Sequence, residues 1–168
     1  MKYVALPLAA LSLCGCTASG PLYQDAPTPP EGKALVYIYR EATKTFSWRQ
    51  AWFSVDNVEV GELYNQGYMW AYVPAGVHIL KQEWPRDITH GRPTDINIVL
   101  QAGRTYYFKL RTASSIYPSG RGVMMEERWE ILDMAPRLGS SEIAQYHYEP
   151  AEHPDVAAAA DKISSAQH

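Results

Sequence analysis

Between residues 34 and 133 the apolar residues fall mostly at every second position, in short runs separated by Gly, Pro, Asn and Asp. A run apolar on both faces comes first, at residues 34–40 (ALVYIYR), as in a strand with neighbours on both sides. Residues 50–55 and 58–64 flank Asp56-Asn57, a pair that tolerates the positive φ angles of a two-residue hairpin turn. Asn65-Gln66-Gly67 turns the chain into residues 68–73, and Pro74-Ala75-Gly76 turns it into 77–84. Ile96, Ile98 and Leu100 alternate with Asn97 and Val99. Gln101-Ala102-Gly103 then leads into 105–111, and a last run covers 123–133. Seven to eight short strands at this spacing predict an all-β domain, a small antiparallel β-sandwich or barrel, with one short helix near 142–148.

The start of the chain follows a different pattern. Met1-Lys2 is positively charged, and residues 3–13 are almost wholly apolar. Eleven residues cannot cross a bilayer as a helix, which needs about 20, but they suit the core of an export signal. Leu13-Cys14-Gly15-Cys16 follows, and lipoprotein signal peptides resemble it: Leu three residues before the modified cysteine and a small residue just before it. Residues 1–15 are therefore expected to be removed and Cys16 to carry lipid. Cys14 is the weaker candidate because bulky Leu13 precedes it. An ordinary signal peptide cut elsewhere, for instance after Ala18, is the alternative. In lipoproteins an Asp after the cysteine favours inner-membrane retention. Thr17 stands there, so the resemblance favours the outer membrane, facing the periplasm.

Organisation follows from composition. Residues 16–32 hold Pro21, Pro27, Pro29 and Pro30 among small and polar residues and read as an extended tether. Residues 33–150 form the domain. Residues 151–168 have helix propensity but only Val156 and Ile163 to bury, so they read as a flexible, frayed tail. Processing takes Lys2 and moves the net charge from −3 to −4, with scattered basic residues, which argues against a nucleic-acid partner. It also leaves one cysteine, occupied by lipid, and so no thiol for a disulfide, a nucleophile or a metal within the domain.

Four segments carry a resemblance. Ala34-Leu35-Val36-Tyr37-Ile38-Tyr39-Arg40, Val60-Gly61-Glu62-Leu63, Val73-Pro74-Ala75-Gly76-Val77-His78 and Ala102-Gly103-Arg104-Thr105-Tyr106-Tyr107-Phe108 occur in this order. Over about residues 32–135 the chain resembles the domain-of-unknown-function family numbered 2846, small and often lipid-anchored bacterial proteins. The resemblance implies a prealbumin-like sandwich and supplies no catalytic residues. Residues 41–49 and the loops expected at 85–93 and 112–122 match no pattern.

Candidate chemistry is sparse. No two of His78, His90, His147, His153 and His168 stand at a helical metal-binding spacing, although His147 and His153 lie near Glu149 and Glu152. Ser114, Ser115 and Ser119 lack a Gly-x-Ser-x-Gly or Ser-x-x-Lys context. Glu126, Arg128 and Glu130 alternate, as in a solvated mixed-charge strand face. No enzyme activity, cofactor or metal is expected. Aromatic residues make up 12% of the chain, and Tyr68, Trp70 and Tyr72 share one strand face, with Trp52 and Trp48 proposed to extend it. That face is either covered by another element or forms a binding surface for an envelope protein or glycan. The leading expectation is a non-catalytic interaction or envelope-accessory module tethered to the membrane. The rivals are an envelope hydrolase built from Arg86, Asp87, His90, Ser119 and Arg121, and a purely structural envelope protein.

Overall fold

A computed structural model describes residues 17–44, 46–85, 93–120 and 122–166, with the backbone alone at Met125 and Glu127. The expected signal peptide, Cys16, Arg86, Asp87, His90, Arg121 and His168 lie outside the described residues. Among the described residues nine strands occur in the order β1 (Lys33–Arg40), β2 (Ala51–Val55), β3 (Val58–Leu63), β4 (Gly67–Pro74), β5 (Gly76–Glu83), β6 (Thr94–Leu100), β7 (Thr105–Ser119), β8 (Gly122–Met134) and β9 (His147–Tyr148). The same residues form two helices, α1 (Pro136–Ile143) and α2 (Val156–Ala166). The strands form a β-sandwich of one five-stranded sheet, β8-β7-β1-β4-β9, and one four-stranded sheet, β3-β2-β5-β6.

The short turns do different work. Asp56 and Asn57, at φ 50° and 67°, make the tight hairpin between β2 and β3. The turns after β3, β4 and β6 carry the chain from one sheet to the other, since none of the strand pairs they join is hydrogen-bonded. The sandwich is also not wholly antiparallel. β1 runs parallel to β7, and β4 parallel to β9.

Alternation builds the core. Val36, Ile38, Phe53, Val55, Met69, Ala71, Val73, Phe108 and Leu110 face inward between the sheets and are buried. Strict alternation along β3 would turn Leu63 outward. A bulge, seen as a register shift opposite Phe53 and Ser54, resets the period so that Val60 and Leu63 both point inward.

Three segments depart from expectation. Residues 112–122 were expected to be a loop, but β7 continues to Ser119 and β8 starts at Gly122, giving one long antiparallel ribbon. The helix expected near 142–148 lies earlier, at α1, where Pro136 sets the first turn, and His147–Tyr148 is a strand instead. Residues 151–168 were expected to fray, yet α2 packs Val156 and Ala159 into the core. Asp155 supports that docking. Its carboxylate meets Lys33 Nζ at 2.5 Å and accepts the Ala158 N–H at 3.2 Å, the position of a helix cap.

Candidate functional site

Strand direction defines two poles. β1 and β7 run together toward Arg40 and Leu110, and β4 begins beside them, with Tyr68 opposite Tyr39. At this pole lie the 64–67 turn, the loop at 41–50 and the continuing β7–β8 ribbon. The chain's first described residue arrives there too: Thr17 bridges Asn65, and the Ala18 N–H donates to the Asn65 carbonyl at 3.0 Å. Ala18 is buried.

Arg40 organises the pole from inside. It is fully buried, with its guanidinium 5.0 Å from the Trp84 ring centre and 5.4 Å from that of Trp129. It donates to the carbonyls of Arg49, Phe46 (2.7 Å) and Leu63 (3.3 Å), so one side chain ties β1 to the 41–50 loop and to the end of β3. Burial lowers its pKa to about 10, with Glu149 opposing, and at neutral pH it remains a cation. The ribbon's base is held by Glu41, which accepts the Thr112 N–H at 2.7 Å, and by Lys109, whose Nζ is 2.9 Å from Glu142. Glu149 accepts the Tyr64 N–H at 2.7 Å. Burial, with Glu62 adding to it, pushes the Glu149 carboxyl up to about 7 against the pull of the Tyr64 N–H and Arg40. Among the described residues, both amide atoms of fully buried Gln82 and the Trp84 ring nitrogen lack a hydrogen-bond partner.

Past Trp129, which still packs into the core, the ribbon leaves the sandwich. Seven residues, from Ala113 to Ser119, carry it about 20 Å at the rise of a strand. Polar residues line its lower part: Ser114, Ser115, Glu126 and Arg128, with Arg128 donating to Ser115 at 3.1 Å. Arg111 and Glu130 pair at 2.5 Å just below, the cross-strand pairing expected of a mixed-charge face. The end is apolar, with Ile116 71%, Val123 74%, Met124 51% and Tyr117 40% exposed.

The aromatic residues singled out from sequence do not form one surface. Tyr68, Trp70 and Tyr72 lie on the outer face of the five-stranded sheet, but the N-terminal segment covers much of it. Tyr23 packs on Tyr68 and Tyr37 with ring centres at 5.4 and 5.8 Å. The Ala26 N–H donates to the Tyr37 hydroxyl at 2.8 Å, the Gln24 N–H to that of Tyr68 at 3.0 Å, and the Tyr72 hydroxyl to the Pro27 carbonyl at 3.0 Å. Tyr68 is therefore buried, and Trp70 and Tyr72 are half-buried. The tether expected at 16–32 is, from Thr17 to Pro27, a docked strap. Trp52 belongs to the other sheet, outward and exposed, with its ring N–H donating to Glu62 at 2.9 Å. Trp48 is exposed on the 41–50 loop, 4.2 Å from the Arg49 guanidinium.

Ser119 stands at the end of the ribbon, and its four proposed partners lie outside the described residues. His78 bonds Asp56 at 2.6 Å and His147 bonds the Gly20 carbonyl at 2.6 Å. Burial would raise the Asp56 carboxyl, but His78 and the Ile79 N–H outweigh it and hold it below its usual range. No group of three or more His, Cys, Asp or Glu among the described residues is placed to hold a metal. At the opposite pole an open cleft of about 580 Å³ is lined by Arg104, Tyr106, Asp133 and Pro136, and burial raises the Asp133 carboxyl. Sequence reasoning missed the ribbon end, although Ile116-Tyr117 and Val123-Met124-Met125 flank Ser119-Gly120-Arg121-Gly122, a hairpin signal.

A family model described as Protein of unknown function (DUF2846) matches residues 30–122, from just before β1 to the first residue of β8. No curated protein and no solved structure matches the chain.

Proposed function

This chain belongs to the DUF2846 family of proteins of unknown function, and we propose that it is a lipoprotein, acylated at Cys16 and held at a bacterial membrane facing the periplasm, the outer membrane being favoured. Its sandwich acts there as a non-catalytic interaction or envelope-accessory module. The signal-like residues 1–15 and the Leu13-Cys14-Gly15-Cys16 run support the anchor. The observation that carries the reading is the docking of the segment that follows. Thr17 bridges Asn65, Ala18 is buried, and the strap continues over the sheet to Pro27. An anchor at Cys16 therefore has no free spacer, and the domain is held with one chosen pole against the lipid. Such an arrangement suits a module working at the surface and not one reaching far from it. Trp48 and Trp52 remain exposed as the contacts for an envelope protein or glycan.

Radiolabelled palmitate and membrane fractionation test the anchor. Cys16→Ser should lose the label and appear in the soluble fraction, whereas Cys14→Ser should keep both label and membrane association. Release of Cys14→Ser would contradict the choice of cysteine. Trp48→Ala with Trp52→Ala should change the crosslinked partners of an otherwise anchored, folded protein; an unchanged set would remove that surface from the account.

A further inference from the structure

We infer that the apolar end of the β7–β8 ribbon is a second membrane contact, inserting Ile116, Tyr117, Val123 and Met124 into the interface of the lipid surface that holds Cys16; this rests on the lipid-anchor reading above. Two observations fix the occupant. First, β1 and β7 run parallel, so the ribbon leaves the same pole at which Thr17 pairs with Asn65. The residue carrying the lipid is one position before Thr17, and no free chain separates it from that pole. Whatever surface receives the acyl chains therefore lies on the ribbon's side of the sandwich, and the ribbon, about 20 Å long, reaches it inclined and not upright.

Second, the end is apolar on both faces. In an antiparallel pair, directly opposed residues share a face. Tyr117 opposes Met124 on one face, and Pro118 opposes Val123 on the other, the face that Ile116 also shares. A strand docking on a protein groove needs one apolar side and leaves the other to water. An end whose described residues put apolar side chains on both faces suits a medium that surrounds it. Depth is limited by the backbone: beyond the sandwich the ribbon has two strands only, and their outer N–H and C=O groups are unpaired in the ladder, which forbids the hydrocarbon centre but not the interface. Tyr117 suits that interface, and Glu126, Arg128 and Ser115 follow where the headgroups lie.

The test uses the full-length, lipidated protein in vesicles of phosphatidylethanolamine and phosphatidylglycerol. With Cys16 acylated and Cys14 removed, a new cysteine is the only free thiol. Val123→Cys, at the ribbon end, and Ala102→Cys, on the exposed turn at the opposite pole, are each labelled with an environment-sensitive fluorophore. Lipids carrying a quencher below the headgroup should take about half or more of the emission at position 123, with a blue shift, and leave position 102 unchanged. Val123→Cys with Ile116→Asp should lose that quenching while keeping the lipid on Cys16. Absence of quenching at 123 in a lipidated protein overturns the ribbon contact alone, as does equal quenching at both positions or crosslinking of 123 to a protein in place of lipid. Absence of lipid on Cys16 removes the anchor reading and this contact with it.

Discussion

Gly20→Ala should undo the strap that runs from Thr17 to Pro27 over the sandwich. A Cβ at Gly20 would fall on the Tyr148 carbonyl oxygen, with the carbonyl carbon only 2.9 Å away. Both belong to the backbone of β9, so no side-chain rotation relieves the overlap. The strap must lift. Lifting breaks the Tyr148 N–H to Pro21 carbonyl bond (2.8 Å) and the His147 contact with the Gly20 carbonyl (2.6 Å). Each is worth about 1 kcal/mol. Loosening the Tyr23 ring and buried Ala18 adds apolar exposure, for a total of about 2–4 kcal/mol. Hydrogen exchange reads this directly. Protection of the Gln24, Ala26 and Tyr148 amides should fall about 30-fold or more, since 1.4 kcal/mol is about tenfold. Gly32→Ala is the control, because Gly32 has φ 77° but nothing within 4 Å of an added Cβ. It should cost only about 1 kcal/mol of backbone strain and leave the strap protected. Protection in Gly20→Ala within about threefold of the parent would refute the docked strap.

Other consequences are equally specific. Arg40→Met keeps the bulk between Trp84 and Trp129 but removes the guanidinium from both rings and the donor from the Arg49, Phe46 and Leu63 carbonyls, and should cost about 3–5 kcal/mol in urea unfolding; a loss below about 1 kcal/mol would mean that apolar bulk alone holds the pole. The Glu149 carboxyl, raised to about 7 when folded against 4.5 as a free group, binds its proton more tightly in the native state, so stability should fall as pH rises from about 4.5 to 7. Glu149→Gln should flatten that part of the profile and stabilise the protein at pH 8 by about 1–2 kcal/mol, and an unchanged slope would show that other groups set it. Asp155→Ala, which loses both the Lys33 ion pair and the α2 cap, should cost about 1–2 kcal/mol and helical signal by circular dichroism; full helicity would contradict the cap.

What was legible in the sequence was whatever a period of two and a turn can encode. Val36, Ile38, Phe53, Val55, Met69, Ala71 and Val73 face the core as their alternation requires, and the Asp56-Asn57 hairpin forms where its residues tolerate positive φ. Register shifts were less legible: Gly61 within Val60-Gly61-Glu62-Leu63 sits at φ 152° and is a bulge signal, but it does not say that the shift turns Leu63 inward. The ribbon was missed for a related reason. Thr112, Ala113, Ser114 and Ser115 lack the apolar residues that signal a strand, because a ribbon clear of the sandwich has no core to face. The covering of Tyr68 was missed because Pro-rich composition reads as tether. Tyr23 alone marks that segment as having a face to bury, and the polar ends of Tyr37, Tyr68 and Tyr72 hold its backbone through long-range hydrogen bonds that no local pattern encodes. α2 docks for the same reason, through Lys33, which is 122 residues from Asp155.

On the lipoprotein reading proposed above, the mature chain begins at Cys16 and this residue carries the lipid. Mass spectrometry of the N-terminal peptide from membrane-extracted protein tests it most directly. The expected peptide starts at Cys16 and carries diacylglycerol on its sulfur. A peptide starting at Ser19, or one starting at Cys16 with a free thiol, would contradict it.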